Sequence, residues 1–564
     1  MKGEEEQKLW NIVPGYDFNE EIDMADASSW FLDEIHRGQT PLSLWFWIKY
    51  CCNGFRQVAE TLSIPTFKGF ELRLKRDGDY GHPHIVSDKE EIRAREVKFR
   101  AALKPWIENF DELWGTRKEE LLSIYSKLKD LDVEQASNID LYHHHYDLAR
   151  AYQRVLEIHF EGFYASYHGW IILEDLLKER FHINDQSPDF VDMMRGFDNK
   201  LYQVDRQLWE FGRLASEMGL ADTFRENEPK AVIPKLEETS RGKDWVKKFS
   251  EFLRVEGWRM LSLTDFTEPY WLEDPSLPLG TVRQFIMKDT SFALDDVRKD
   301  LAAKRESAVA AMLARLQPDE KEVFGSLIGL AQKCSSYSEE HDVYCELYIH
   351  ALLRRAYLEI GKRLARAGSI DKPEDIMMLN FDEIERVIIR PDRLDMRSIT
   401  RARNAMWAEW RTQPLPPVIT NRSSIEEAFA LDMMPAKDPV GIKVVVGELP
   451  VVRPELQADL YGLCGSPGVV EGVARVVRSY AELQEVQPGE IIVCPASNPS
   501  WTPVFGIIKG VVADRGGTLS HTAIIGREFG IPVVLNTFQG TARITTGQRI
   551  RVDGNVGTVH ILGS

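Results

Sequence analysis

Long apolar runs are missing: nowhere in the 564 residues does one reach the roughly 20 that a membrane-crossing helix needs. Basic charge is short as well, with 70 Lys and Arg against 88 Asp and Glu and a formal net charge of −18. No cationic surplus remains to neutralise a phosphate backbone, so a nucleic-acid partner is not expected. Cysteine is sparse. The six residues Cys51, Cys52, Cys334, Cys345, Cys464 and Cys494 contain no CxxC pair, which excludes zinc knuckles and thioredoxin-type redox motifs. No G-x-x-x-x-G-K-S/T loop is present, so a P-loop nucleotide site is excluded too. The opening MKGEEEQKLW lacks the apolar stretch of a secretory signal. Together these absences predict a soluble cytoplasmic protein with reduced thiols, no membrane or nucleic-acid partner and no metal site. Glu4, Glu5 and Glu6 read as a solvated end.

What is present falls into two textures. Up to about residue 410 the chain is rich in Trp, Tyr, Leu, Glu and Arg. The stretches 139–167 and 339–367 repeat apolar residues at three- and four-residue spacing without proline, and Gly368 is a natural stop for the second. Residues 1–410 are therefore expected to form a large, mainly α-helical substrate or acceptor region. Residues 411–460 carry Pro414, Pro416, Pro417, Pro435, Pro439, Pro450 and Pro454, and read as a semi-extended linker with at most a short helix at 423–434. From 461 to 564 short Val- and Ile-rich runs alternate with turns such as Gln487-Pro488-Gly489 and Asp553-Gly554, which predicts one small α/β domain.

The chemistry concentrates in Asp514–Thr537, DRGGTLSHTAIIGREFGIPVVLNT. A buried strand, GVVA, should end at Asp514. Gly516 and Gly517 permit tight turns with open amides. Ser520, with Thr518 as an alternative, suits the N-cap of a helix that begins near His521 and stops at Gly530. A neutral imidazole at a helix N-terminus, beside free amides and hydroxyls, is placed to take up phosphate and to form a labile phosphoramidate. The same local pattern also suits an ordinary first-turn histidine.

The stretch resembles the phosphohistidine domain of phosphoenolpyruvate-utilising enzymes. It carries Gly516-Gly517, Ser520-His521, Ala523-Ile524, Arg527-Glu528 and Gly530-Ile531-Pro532. The flanks match as well, with Gly465-Ser466-Pro467-Gly468 and Gly472 opening the domain, Trp501-Thr502-Pro503 within it and Val552-Asp553-Gly554 closing it. The resemblance implies a swivelling domain with His521 as the phosphoryl carrier, and Gly516, Gly517, Thr518, Ser520 and Arg527 around its phosphate. No ATP-grasp region is evident upstream, so the resemblance implies that ATP and Mg²⁺ are bound mainly by a separate ATP-grasp subunit, with no cofactor held permanently by this chain. The order of domains resembles the later two-thirds of rifampicin phosphotransferase. It resembles more closely the histidine-bearing subunits of phenylphosphate synthase and 4-methylphenyl phosphate (cresol phosphate) synthase. The implied acceptor is a small phenolic hydroxyl, with an antibiotic, an alcohol or a pyruvate-like acid as the alternative, or no acceptor chemistry at all.

Looser likeness covers roughly residues 240–390, through Gly257 and Arg259, Trp271–Pro275, and Arg354-Arg355 on to Pro373–Ile376. Arg259 and Arg354 are thus candidate phosphate clamps, with ordinary ion pairs as the alternative. A base for a hydroxyl of pKa about 10 is sought on the 139–167 helix. His145 and His159, fourteen positions apart, share a face to within about 40°, and Glu161 lies beside them. A surface cluster at His143–His145 and a packed His159 fit equally. Trp45, Phe46, Trp47, Tyr164, Tyr167 and Trp170 suit an aromatic pocket or plain helix core.

Overall fold

The computed structural model describes residues 9–33, 38–262, 265–288, 294–411, 413, 415–478, 480–497 and 501–563. Glu4, Glu5, Glu6 and Pro414 lie outside them. In chain order the helices that matter are α1 (Pro41–Thr61), α2 (Lys89–Lys129), α3 (Asn138–Phe181), α4 (Lys200–Glu217), α5 (Ser240–Glu256), α6 (Ser276–Met287), α7 (Leu294–Ala314), α8 (Lys321–His341), α9 (Tyr348–Arg366) and α10 (His521–Phe529). No described helix is long and apolar enough to cross a membrane.

The chain divides into two compact units. The first comprises residues 1–165, 264–268 and 344–442, the second 166–263, 269–343 and 443–564. In the first unit α1 buries an almost continuous apolar surface, including Leu42, Phe46, Ile48 and Phe55. It packs on a four-stranded antiparallel sheet of order β2-β3-β1-β4, built from β1 (Ser29–Leu32), β2 (Phe67–Lys75), β3 (Gly78–Ile85) and β4 (Val418–Thr420). The expectation of a mainly helical region holds, yet it missed this sheet. Its signal was the period-two alternation FKGFELRLK, in which Phe70, Leu72 and Leu74 point inward while Glu71 and Arg73 do not.

The expected Pro-rich linker is corrected. Val418–Thr420 is strand β4, paired with β1 at Ser29↔Thr420 and Phe31↔Val418. Ile425–Ala428 and Phe429–Met433 form continuous helical turns, and Arg422 clamps Asp432. From Lys443 onward the segment belongs to the second unit. Pro435 and Pro454 open short 3₁₀ turns, where a missing amide costs nothing, so proline here shapes folded structure and does not loosen it.

In the second unit helices α4, α5 and α6 share a core around Leu208, Trp245, Phe249 and Val282. The last hundred residues form an eight-stranded sheet of order β5-β12-β11-β7-β8-β9-β10-β6. Its strands are β5 (Leu460–Tyr461), β6 (Leu463–Ser466), β7 (Val469–Val476), β8 (Ile491–Cys494), β9 (Gly510–Ala513), β10 (Val533–Leu535), β11 (Arg549–Asp553) and β12 (Thr558–Gly563). Strands β7 to β10 run parallel and the rest antiparallel. The fully buried runs IIVC and GVVA are the central parallel strands, as continuous β-branched sequence requires. Helix α10 connects the parallel neighbours β9 and β10, which puts its N-terminus at the C-terminal edge of the sheet, where open α/β sheets bind ligands.

Candidate active site at His521

Strand β9 ends at Ala513, and Asp514 anchors the loop into α10: it accepts from Thr537 Oγ1 at 3.0 Å and from the Thr541 amide at 3.2 Å. Gly516 then adopts φ +108°, a conformation that only glycine takes without strain. Ser520 has the extended backbone of an N-cap, but its side chain accepts no helix amide, and its buried Oγ has no hydrogen-bond partner among the described residues. His521 is the first helical residue, at the positive end of the α10 dipole. Gly530, at φ +66°, closes the helix.

The glycine loop is not the open cradle expected from sequence. The Gly517 amide donates to Val444 O at 3.1 Å and the Leu519 amide to Lys443 O at 2.7 Å. A Cβ on Gly517 would stand 2.4 Å from the Lys443 carbonyl oxygen, so this glycine permits close approach of two backbones. Thr518 is spent as well: its hydroxyl donates to Asp185. Arg527 sits six residues beyond His521, on another side of the helix. Its Nε donates to Gly465 O at 2.8 Å, its guanidinium lies 5.5 Å over Trp170, and burial lowers its pKa to about 10. It braces the domain core and does not face the histidine.

Beneath the loop lies a buried ion cluster that no local sequence pattern announced. Lys443 Nζ is 2.8 Å from Glu174, 2.9 Å from Asp185 and 2.9 Å from Glu448. Burial and the neighbouring Asp185 raise Glu174 to about 8 against the pull of Lys443. For Asp185 burial works upward, but Lys443 and the Thr518 hydroxyl outweigh it and hold the carboxyl low. On the next turns of α10, Glu528 Oε2 accepts from the Gly196 and Phe197 amides at 3.1 and 2.9 Å, and burial raises this carboxyl to about 8.

The imidazole of His521 faces α8. Its Nδ1 is 2.9 Å from Glu339 Oε2, off the line of a hydrogen bond, and Phe505 stands edge-on with ring centroids 6.3 Å apart. Only 8% of the histidine side chain and none of Glu339 is exposed, so the ring is enclosed by α8 in this arrangement, not open to solvent. Asp342 follows one turn after Glu339, where α8 gives way to a π-helical turn at Asp342–Leu347. The 339–367 stretch, expected as one helix, is thus α8, this turn and α9. Glu339 and Asp342 were missed, although a signal existed: both carboxylates continue the buried stripe of Ile328, Ala331 and Ser335.

The acceptor-site candidates divide between the two units. Arg259, in the second unit, pairs with Glu256 at 3.2 Å and lies 5.5 Å over Trp271, inside the α4–α6 core. The other four belong to the first unit. His145 stacks on Phe381 at 3.6 Å and meets Tyr357 at 2.9 Å, and burial lowers it to about 3. His159 is buried 3.3 Å from Glu346, Glu161 is clamped by Arg117 at 2.9 and 3.0 Å, and Arg354 donates to the Phe266 and Thr267 carbonyls. Trp45, stacked on Phe381, is core, as are Phe46 and Tyr164. Trp47 donates to Asp79, Tyr167 to Ser338 and Trp170 to Asp185. Helical periodicity assigns a face, but it cannot say what that face meets.

A small, partly parallel α/β domain here sets a first-turn histidine against a buried carboxylate of α8. Residues 486–557 match the mobile domain of PEP-utilising enzymes, and residues 154–339 match the fourth domain of rifampicin phosphotransferase. These matches give the chain a mobile domain of the PEP-utilising type and a rifampicin phosphotransferase-like domain. The chain is 29% identical over 380 residues to an uncharacterised phosphotransferase, YvkC, of Bacillus subtilis, covering 67% of this chain and 44% of that protein. It is 30% identical over 491 residues to chondramide synthase of Chondromyces crocatus (84% and 12%) and 28% identical over 375 residues to rifampicin phosphotransferase of Streptomyces sviceus (62% and 40%). The chain thus spans less than half the length of each of these relatives.

Proposed function

We propose that this chain is the phosphohistidine-bearing part of an ATP-dependent, dikinase-type phosphotransferase that delivers phosphate to a small hydroxyl acceptor. The observation that carries this reading is the 2.9 Å approach of His521 Nδ1 to Glu339, which brings the motif histidine to the helical domain that an acceptor would share. A carboxylate beside Nδ1 favours the tautomer protonated there, so Nε2 keeps the lone pair and is the nitrogen that takes the phosphoryl group. ATP, with Mg²⁺ to neutralise its phosphates, is the donor, held by an ATP-grasp subunit or domain outside this chain. Water takes the γ-phosphoryl and Nε2 takes the β-phosphoryl, leaving AMP and phosphate. The enclosure of the ring by α8 requires the domain to undock for loading and to return for transfer. On return, the acceptor oxygen bonds to phosphorus as the P–Nε2 bond breaks, the electron pair stays on nitrogen and the hydroxyl proton leaves to water. Catalysis here is position and charge, because phosphoryl transfer has a loose transition state.

Phenol or p-cresol, giving an aryl phosphate, is the acceptor class we favour. An antibiotic hydroxyl is the second reading, supported by the match of residues 154–339 to a rifampicin phosphotransferase domain. The test is labelling. ATP carrying ³²P at the β-position, with an ATP-grasp partner, or phosphoramidate as a chemical donor, should leave acid-labile, alkali-stable label on the chain that is absent in His521→Ala. Phenol, p-cresol and rifampicin are then compared for discharge of that label. Label that persists in His521→Ala would place the carrier elsewhere.

A further inference from the structure

Glu339 and Asp342 end α8 one turn apart and therefore project to one side. Among the described residues both oxygens of Glu339 are buried without a hydrogen-bond partner, and the side chain is 0% exposed. Neither ring nitrogen of the enclosed His521 has a hydrogen-bond partner among the described residues. Asp342 Oδ1 stands 3.2 Å from His341 Nε2, and His341 Nδ1 in turn meets Tyr337 O at 3.0 Å, so the second carboxylate is oriented from behind. One ligand atom each from Glu339, Asp342 and His521 lies within 4.8 Å of the others. Two buried carboxylates beside the seat of a phosphoryl dianion concentrate negative charge that a cation would offset. A single proton on Nδ1 answers only part of it.

We propose that Glu339, Asp342 and His521 form a site for one divalent cation of the Mn²⁺/Mg²⁺ class. The 2.9 Å separation of Nδ1 and Oε2 lies off a hydrogen-bond line. Two ligands at right angles on one such ion, each near ~2.1 Å from it, stand about 3.0 Å apart. Two carboxylates and one imidazole suit Mn²⁺ best, with Mg²⁺ as the competitor. The role of the ion deepens the function proposed above and rests on it. In the docked state the cation takes the place of the Nδ1 proton, neutralises the carboxylates and draws electron density from the ring, so the imidazole leaves phosphorus more readily. The π-helical turn that begins at Asp342 sets this carboxylate beside Glu339, a use to which such turns are often put.

The full chain, freed of metal by chelation and without ATP or acceptor, is titrated with Mn²⁺ and read by electron paramagnetic resonance. Saturable binding of one ion per chain is expected, competed by Mg²⁺, with ¹⁴N coupling from one imidazole. Glu339→Gln and Asp342→Asn should each weaken binding at least about tenfold, and His521→Ala should abolish the nitrogen coupling. Circular dichroism melts identify any variant that fails to fold, and the wild-type nitrogen coupling needs no variant at all. Absence of saturable binding or of ¹⁴N coupling in the wild type, or folded carboxylate variants that bind as the wild type does, overturns the proposal. Phosphohistidine labelling is scored separately, so either reading can fail while the other stands.

Discussion

At the scale of single residues, the glycine motif does a different job from the one its resemblance to anion cradles suggests. Gly517 has no room for a Cβ, with Lys443 O 2.4 Å from where it would lie. Gly517→Ala must therefore push the 443–444 backbone away and break the hydrogen bonds that the Gly517 and Leu519 amides donate to it. We expect a loss of roughly 2 kcal/mol or more in the second unit, measured by chemical denaturation. Ser520 is the contrasting case. Its hydroxyl caps nothing and is buried beside His521 without a partner, so Ser520→Ala should cost little stability, within about 0.5 kcal/mol. A slower discharge of label from that variant would mark the hydroxyl as a phosphate contact.

At the scale of elements, the segment between the helical region and the swivel domain is the decisive piece. Its first part is strand β4 in one unit, and its last part, from Lys443, lies under the histidine loop in the other. Lys443 is 4% exposed and answers three carboxylates. Lys443→Ala leaves Asp185 and Glu174 uncompensated, and breaking such a buried cluster costs roughly 3–5 kcal/mol. Amide hydrogen exchange in β9, β10 and α10 should accelerate by about a hundredfold or more, while β1–β3 in the other unit remain as in the wild type. Unchanged exchange in α10 would show that the cluster does not hold the loop.

At the scale of the whole molecule, docking of α10 should depend on pH. Glu528 is raised to about 8, first by burial and then by Glu339 nearby. A carboxyl whose folded pKa lies above its unfolded value stabilises the fold fully below the unfolded value, and that contribution is lost as pH rises through the folded one. Glu174, raised to about 8, acts in the same direction. Between about pH 4.5 and about pH 8 the packing of α10 on the Gly196–Phe197 turn should therefore loosen, read as faster exchange of the α10 amides. Glu528→Gln keeps an oxygen acceptor for the two amides and removes the charge, so its exchange should depend less on pH. An undiminished slope in that variant would assign the effect elsewhere.

Much of the C-terminal mobile domain was legible in advance because its signals are local. Continuous β-branched runs made parallel strands, Gly530 stopped α10, and the spacing around Ser520-His521 put the imidazole on the first turn. Local pattern likewise set the α-helical character of residues 139–167, the break at Gly368 and the turns of the last hundred residues. Only tertiary structure decided what faces the histidine. Glu339 and Asp342 come from 182 and 179 positions upstream, and no periodicity links them to His521. The same holds for Lys443, hidden in a proline-rich stretch, and for His145 and Arg354, which are held by neighbours distant in the chain. Helix and strand preferences act over a few residues, whereas the charge and shape of a buried site are summed over every element that packs there.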